Sequence, residues 1–248
     1  MLIEEDIKIN PDLSVDTSKA KGKISDYDRN AIEAAMQAAG QSGDEVVALT
    51  FGNAGAEQSL KDALSRGPQS GCLVKDGAAD EADAYATSVA LAAAVRRMGD
   101  YRLIICSEGA SDTYAHQVGP RLGEILDIPV ISNACDFSIG GDTLTARRKL
   151  EDCLEKVETV LPAVITVLPA VCEAPIPGLK QVLAAGKKPV AKYTAAELGL
   201  EVADLKPKSE NLGLKGYAMA RKNMIFREGD AAEKVARLVD SLKKEGVL

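Results

Sequence analysis

A run of small and polar residues between an apolar run and a helical pattern constrains the fold of this chain most. The run occupies residues 107–120 and follows the apolar residues Leu103–Cys106. After it, apolar residues recur at a helical spacing, at Val118, Leu122, Ile125 and Leu126. A loop at the carboxyl end of a parallel strand directs backbone N–H groups and a helix N-terminus at anions such as phosphate. The loop therefore predicts nucleotide binding rather than bond-breaking chemistry.

Strand and helix patterns alternate through the first half of the chain. The predicted strands cover residues 46–51, 71–74 and 103–106, and the predicted helices cover residues 27–39, 58–65 and 83–98. In the first helix, the apolar face is expected at Ile32, Ala35, Met36 and Ala39. This alternation predicts an α/β fold with a doubly wound, mostly parallel sheet and helices on both of its faces.

The pattern changes after Pro129. Residues 132–139 and 144–149 are separated by Gly140 and Gly141, which predicts an antiparallel hairpin that extends the sheet. Residues 157–161 and 163–168 are expected to extend the same sheet, and residues 179–185 to form a short helix. Two prolines and a glycine place residues 173–178 in a surface loop.

We expect two domains, a nucleotide-binding α/β domain at residues 1–194 and a C-terminal arm with a helix at residues 195–248. The second is polar and irregular before an amphipathic helix at residues 231–244, which is typical of a segment that packs on a partner subunit. Residues 1–7 hold too few apolar residues for the buried first strand of such a sheet. That strand is therefore expected to be missing. Either the native chain starts further upstream, or the sheet has an open edge.

Composition excludes several classes of function. The 248 residues carry a formal charge of −7, so the basic surface that nucleic acid requires is not expected. The start of the chain shows no secretion signal, and the longest apolar stretch, residues 88–95, is too short to cross a membrane. The five cysteines include no C-x-x-C pair, which predicts free thiols in a cytoplasmic protein and no metal site.

Several residues near the loop have both a functional and a structural interpretation. His116 is the only histidine, and either contacts a ligand or is a polar residue at a loop–helix junction. Ser111 and Asp112 are good helix caps as well as candidate nucleotide contacts, and Asp26 and Asp28 suit the positive end of a helix dipole. None of these residues forms a recognisable nucleophile or general base with its neighbours. Local sequence thus predicts a nucleotide-binding protein without catalytic residues.

Several segments together resemble one family. They are residues 24–35, 64–68, 108–112 with 117–119, 161–164, and 176–180 continuing through 185–189. In these segments the chain resembles the beta subunit of electron transfer flavoproteins, in particular the Fix-type branch found with CoA-ester metabolism. The resemblance covers nearly the whole chain.

The resemblance implies a heterodimer with an alpha subunit that holds FAD. The beta subunit's own site would hold AMP in simple carriers and a second FAD in electron-bifurcating members. By position, that site would include Ser25, Asp26, Tyr27, Asp28, Phe51, Gly52, Asp112, Thr113, Tyr114, Ala115, His116, Gln117, Val118 and Gly119.

The resemblance also implies contacts with partner proteins. Leu179 matches the apolar residue that docks on an acyl-CoA-type or similar flavin dehydrogenase, and Glu155 matches a glutamate that meets the alpha subunit's flavin domain. Ala174 and Pro175 depart from the family, which has proline followed by arginine there. The expected role is that of an electron carrier rather than an enzyme, with bifurcation left open. The alternative is a stand-alone sensor of adenine nucleotides with the same fold.

Overall fold

The computed structural model describes residues 7–217 and 221–248. They form two compact units, described separately below. The first contains Asp16–Leu214 together with residues 7–8, and the second contains Ile9–Val15 and the described part of residues 215–248. The expected lack of a first strand concerns residues 1–7, of which residues 1–6 lie outside the described part of the chain.

Ten strands and six α-helices follow one another along the described chain. The strands are β1 (Lys8–Ile9), β2 (Val15–Asp16), β3 (Val47–Gly52), β4 (Ser70–Lys75), β5 (Leu103–Ser107), β6 (Val130–Gly140), β7 (Thr143–Lys149), β8 (Leu154–Val160), β9 (Ala163–Val167) and β10 (Val190–Tyr193). The helices are α1 (Asp26–Ser42), α2 (Ala56–Ser65), α3 (Ala84–Met98), α4 (Val118–Leu126), α5 (Leu179–Ala185) and α6 (Ala231–Lys244).

Strands β3 to β10 form two sheets flanked by helices. Strands β10, β4 and β3 are parallel and lie in that order. The larger sheet has the order β5-β9-β6-β7-β8, in which β5, β9 and β6 are parallel and β6, β7 and β8 are antiparallel. The predicted α/β class, the parallel strands and the antiparallel hairpin are therefore confirmed.

Strands β8 and β9 both extend the sheet of the hairpin, as predicted, and they lie on opposite sides of it. Strand β9 pairs in parallel with β5 on one side and β6 on the other. Its sequence explains the position, because all five of its residues are buried and a strand covered on both faces reads as a continuous apolar run. Strand β8 is antiparallel to β7.

Residues that precede strands of the two sheets lie close together. Arg102 precedes β5 and Asp44 precedes β3, and the Arg102 guanidinium lies 2.8 Å from the Asp44 carboxylate. The same guanidinium donates a hydrogen bond to the carbonyl oxygen of Gly141. These bonds link the segments that precede β3 and β5 to the turn between β6 and β7.

The core of the first unit continues beyond residue 194. Ala195 and Leu205 are buried with Cys72 and Val74 of β4 and with Ala90 of α3. The polar segment that begins at residue 195 therefore contributes two side chains to the packing of this unit.

The second unit contains the C-terminal helix α6. Asp230 and Glu233 form a capping box, in which the Asp230 carboxylate accepts a hydrogen bond from the backbone N–H of Glu233. Lys222 pairs with Glu245 at 2.6 Å, near the end of the helix. The apolar side chains of Val235 and Leu238 are exposed.

Candidate nucleotide site

The end of strand β5 is tied to the first turn of helix α1. The Ser107 hydroxyl donates a hydrogen bond to Asp28 Oδ1 at 2.6 Å and also lies 2.9 Å from the carbonyl oxygen of Gly109. Burial raises the pKa of Asp28, and the negative charge of Asp112 adds to the rise, whereas the bond from Ser107 opposes it. The predicted site residue Asp28 thus lies beside the predicted loop.

A second link joins Ser25 to the same loop. The side-chain oxygens of Ser25 and Ser111 are 3.1 Å apart, and Ser25 Oγ accepts a hydrogen bond from the backbone N–H of Ser111 at 3.2 Å. Ser25 is the residue before α1, where its hydroxyl would ordinarily cap the helix, but it makes no capping hydrogen bond. The first N–H groups of α1 are therefore left without a bond from that hydroxyl.

Three aromatic rings lie along the loop. The rings of Tyr27 and Tyr114 have centroids 5.1 Å apart, and the ring of His116 meets Tyr114 edge-on at 4.1 Å. Tyr114 and His116 both have positive φ, 49° and 55°, a conformation that is costly for residues with a Cβ. Such backbone is maintained only where its surroundings enforce it, and it concentrates at ligand sites.

A hydrogen bond holds Tyr114 in this conformation. Its hydroxyl donates to Glu108 Oε1 at 2.7 Å, and this bond is the main reason that the pKa of Tyr114 rises to about 12. Gly109 lies directly beneath the ring, since a Cβ at that position would be 2.8 Å from Tyr114 Cδ2. Glu108 therefore helps to position a ring of the candidate site, although sequence analysis did not include it.

Helix α4 begins without a side-chain cap. Its N-cap residue is Gln117, whose side chain bonds to Arg121 instead of to the helix N-terminus. The suggestion that Ser111 or Asp112 caps this helix is wrong, because the helix begins only at Val118; Asp112 accepts a hydrogen bond from Thr113. Residues 111–117 are exposed.

A close approach of α4 to strand β9 fixes the direction of the helix. A Cβ on Gly119 would lie 2.3 Å from Thr166 Cγ2, so only glycine allows this spacing. Thr166 in turn accepts a hydrogen bond from the backbone of Asn133. Val118 and Gly119 thus serve to direct the helix N-terminus at the edge of the sheet.

Phe51 and Gly52 lie apart from these contacts. Phe51 packs on the core formed by Cys72 and Val74, and the carbonyl of Gly52 accepts a hydrogen bond from Asp76. Phe51 and Gly52 are the last two residues of β3, at the carboxyl edge of the smaller sheet. The described contacts bring Ser25, Tyr27 and Asp28 to the loop, whereas Phe51 and Gly52 are held by the smaller sheet.

The arrangement suits an adenylate. Helices α1 and α4 both begin without a side-chain hydrogen bond to their N-termini. The acidic residues Asp26 and Asp28 already occupy the first turn of α1, whereas the first turn of α4 has no acidic residue and leaves N–H groups and a positive dipole end for an anion. The exposed ring of Tyr114 offers a stacking surface for a planar base. A family model described as the electron transfer flavoprotein domain matches residues 12–198, well over half of the chain.

This chain belongs to the electron transfer flavoprotein family. Proteins of this family are flavin-associated electron carriers rather than catalysts. The match includes every residue of the candidate site, together with the hairpin and helix α5. Within the described residues, no helix has the length and apolar character needed to span a bilayer.

Two residues that the family resemblance implicates in partner contacts lie outside the candidate nucleotide site of this electron transfer flavoprotein. Leu179 is the first residue of α5 and is 76% exposed. Glu155 lies in β8, where it accepts a bond at 3.2 Å from Arg148, which also donates to Ser132. Arg148 therefore links strands β6 and β8 on this side of the hairpin.

Two residues that support the site, Ser107 and Glu108, were not predicted as site residues. Ser107 and Glu108 were part of the loop but were not counted among the ligand contacts, and both bond to residues that were. Only their position in the sequence could have identified them. They directly follow an apolar strand, and ligands bind beyond the carboxyl ends of parallel strands.

Proposed function

We propose that this chain is the beta subunit of a heterodimeric electron transfer flavoprotein of the Fix type. It would take electrons from an acyl-CoA-type or similar flavin dehydrogenase and pass them to an acceptor. The observation that supports this most is the pair of bonds that ties Ser25 and Asp28 to the loop after β5. Those bonds set two helix N-termini with no side-chain cap beside one loop, without placing a nucleophile there.

The chain's own residues would hold an adenine nucleotide, either AMP or a second FAD. The backbone N–H groups that begin α4 would bind its phosphates, and Tyr27, Tyr114 and His116 would contact the base. Asp112, Thr113, Ala115 and Gln117 would line the exposed side of the same loop. FAD held with the alpha subunit supplies the one-electron and two-electron chemistry when bound. The protein's part is to position and shield the groups, with no side chain acting as acid, base or nucleophile.

The C-terminal residues 195–248 are proposed to pack on the alpha subunit through their exposed side chains, while Ala195 and Leu205 stay buried in the first unit. Support comes from helix α6, whose Val235 and Leu238 are exposed at 59% and 47%. Glu155 on the hairpin is proposed to meet the flavin domain of the alpha subunit. We propose a cytoplasmic location, since all five cysteines are free and thiols persist in reducing compartments.

Co-expression with an alpha subunit tests this proposal. We expect a yellow heterodimer to co-purify, and denaturation followed by chromatography should release FAD and, from the simple carriers, AMP. One FAD per heterodimer indicates a simple carrier, and two indicate bifurcation. A colourless chain that self-associates and binds AMP or ATP without an alpha subunit would instead support the nucleotide sensor.

A further inference from the structure

The Ser107 hydroxyl contacts two other oxygen atoms where strand β5 meets the loop. Its oxygen is 2.6 Å from Asp28 Oδ1 and 2.9 Å from the carbonyl oxygen of Gly109. Both distances are those of O–H···O hydrogen bonds, and each such bond contains one hydrogen. The number of hydrogens that the three groups can supply therefore decides which of them donates.

Two hydrogen bonds need two hydrogens, and the serine hydroxyl has only one. The carbonyl oxygen of Gly109 has none, so the second hydrogen must belong to Asp28, whose carboxyl group is a donor when it is protonated. In that arrangement Asp28 donates to Ser107, and Ser107 donates to Gly109. With an ionised Asp28, the single hydrogen of Ser107 would serve one of the two contacts, and the other would leave two oxygens facing each other without a hydrogen.

The surroundings of Asp28 disfavour its ionised form. Burial has the largest effect on its pKa and raises it, and the negative charge of Asp112 raises it further. The bond with Ser107 and the positive charge of the chain's amino terminus act in the opposite direction and do not reverse the rise. The electrostatic environment thus favours the same protonated form as the count of hydrogens.

Other titratable groups on the elements around Asp28 do not change this balance. On β5, burial raises the pKa of the Cys106 thiol to about 12, so this neighbour carries no charge at pH 7. On α1, the Arg29 guanidinium pairs with the Asp26 carboxylate at 2.5 Å. In the loop, the Glu108 carboxylate accepts a hydrogen bond from a tyrosine hydroxyl. Within residues 7–217 and 221–248, no lysine or arginine lowers the pKa of Asp28 appreciably.

We propose that Asp28 is a protonated, neutral carboxylic acid at pH 7 and that it positions the carbonyl group of Gly109 through Ser107. Loss of the proton turns the Ser107 hydroxyl towards Asp28, releases Gly109 and adds a negative charge to the first turn of α1. Asp28 is a positioning residue, since it acts on the loop through Ser107. Its effect on nucleotide binding rests on the proposed function of the site.

Gly109 connects this proton to the aromatic rings of the loop. A Cβ on Gly109 would lie 2.8 Å from Tyr114 Cδ2, so the ring of Tyr114 rests on the backbone of Gly109. The same ring contacts Tyr27 and His116. Ionisation of Asp28 therefore loosens the support of Tyr114 and places a negative charge beside the candidate anion site. Both changes oppose the binding of an adenine nucleotide.

Infrared difference spectroscopy of the full chain, labelled with carbon-13 aspartate, tests the protonation without a ligand. At pH 7 we expect the carbonyl band of a protonated carboxyl group in the unaltered chain and its loss in Asp28→Asn. Asp26→Asn, which alters an exposed carboxylate in the same helical turn, is the control and should keep the band. A spectrum at pH 7 without a carbonyl band that Asp28→Asn removes would overturn the proposal.

Ser107→Ala tests the direction of the hydrogen bond. A bond to the neutral form of an acid raises its pKa, whereas a bond to the charged form lowers it. If Asp28 donates to Ser107, removal of the hydroxyl should lower the pKa of Asp28 in an infrared titration. Ser138→Ala, at an exposed position of β6, is the control and should leave that pKa unchanged. A rise of the pKa in Ser107→Ala would show that Ser107 donates to a carboxylate, and the proposal would be wrong.

AMP tests the effect on the nucleotide site. The titrations start at pH 7, where the AMP phosphate is already mostly in its doubly charged form. Binding should weaken about fivefold or more as Asp28 ionises, and by linkage bound AMP should raise the pKa of Asp28 by the same factor. In Asp28→Asn the affinity should not change over that pH range. The same pKa with and without saturating AMP would contradict the coupling.

The experiments separate this inference from the proposed function. The infrared band and its response to Ser107→Ala require neither AMP, FAD nor an alpha subunit. A chain that keeps both but binds no AMP would retain Asp28 as the acid that positions Gly109, and would count against the proposed nucleotide site. A chain that binds AMP but lacks the band would retain the nucleotide site and refute the role of Asp28.

Discussion

Ser107 and Asp28 join the end of strand β5 to the first turn of helix α1 by a hydrogen bond of 2.6 Å. The two residues are 79 positions apart in the chain, so the bond fixes the loop after the strand relative to the helix N-terminus. Burial raises the pKa of Asp28. Ionisation of this carboxyl group in the folded chain therefore costs stability.

Asp28→Asn should raise the stability of the chain at neutral pH by about 1 kcal/mol, since it removes a carboxyl group whose ionisation burial disfavours and keeps an acceptor for Ser107. An acid whose pKa is raised on folding contributes stability that is complete below its ordinary pKa of 3.8 and is lost as pH rises through the native pKa. The variant's advantage should thus shrink towards pH 4. Urea unfolding at several pH values measures it, and an advantage that does not change with pH would contradict the argument.

Tyr114 should stay protonated at a pH where ordinary tyrosines ionise. Its bond to Glu108, aided by a small desolvation, raises its pKa from 10.0 to about 12. The stability linked to this phenol is present below pH 10 and is lost as pH rises through about 12. Carbon-13 NMR of labelled tyrosine at pH 10.5 checks this: Tyr114 should remain neutral, and Glu108→Gln should lower its pKa. A Tyr114 signal that titrates with a pKa near 10 would show that the bond does not form.

The sequence pattern predicted the positions of helices and strands better than it predicted which residues they pack against. Helix α1 was predicted at residues 27–39 and lies at Asp26–Ser42, but its buried residues are Ala31, Ala34 and Ala39. The expected face of Ile32, Ala35 and Met36 is only partly buried. Alanine occurs on both the buried and the exposed faces of helices, so the hydrophobic periodicity of an alanine-rich helix does not indicate which face packs on the core.

Long-range contacts of the site were beyond the sequence pattern. The loop after β5 was predicted from local order, because a strand, small residues and a helix are enough to indicate it. Ser25 bonds to Ser111 across 86 positions, and nothing in either segment specifies the other. The family resemblance predicted that Ser25 and the loop belong to one site, but it did not name Ser111. The contact between the tilted rings of Tyr27 and Tyr114 occurs where Tyr114 has a positive φ, which the sequence does not reveal.

Gly119→Ala should destabilise the chain by about 1–3 kcal/mol, because the new methyl group would overlap Thr166. Gly40→Ala is the matched control, since Gly40 lies within α1 and nothing is within 4 Å of its added Cβ. That control should gain about 0.5–1 kcal/mol through helix propensity. Urea unfolding compares the two variants, and a loss of stability in both would mean that spacing at Thr166 is not the cause.

Lys188 connects the region before β10 to the end of helix α2. Its amino group donates to the carbonyl oxygens of Leu64, Gly67 and Pro68 at 2.8, 3.0 and 2.6 Å. Lys188→Met should cost about 1–3 kcal/mol, since three acceptors lose a charged donor. Lys187→Met, at the exposed neighbouring position, should change stability by less than about 0.5 kcal/mol in the same thermal unfolding experiment. Equal effects at both positions would rule out this bonding as the reason.

Leu179→Ala should separate docking from folding. The side chain is 76% exposed, so the substitution should alter the free energy of unfolding by less than about 0.5 kcal/mol. If Leu179 is the anchor of the dehydrogenase, the rate of electron transfer at limiting carrier should fall at least about tenfold, because a buried apolar anchor dominates an interface. Met98→Ala, which shortens an exposed side chain at the end of α3, outside the proposed contact surfaces, is the control and should transfer electrons at the unaltered rate. Flavin content must be equal in all three heterodimers, so that a lower rate reports on the encounter with the dehydrogenase. Equal rates for Leu179→Ala and Met98→Ala would place the docking surface elsewhere on the chain.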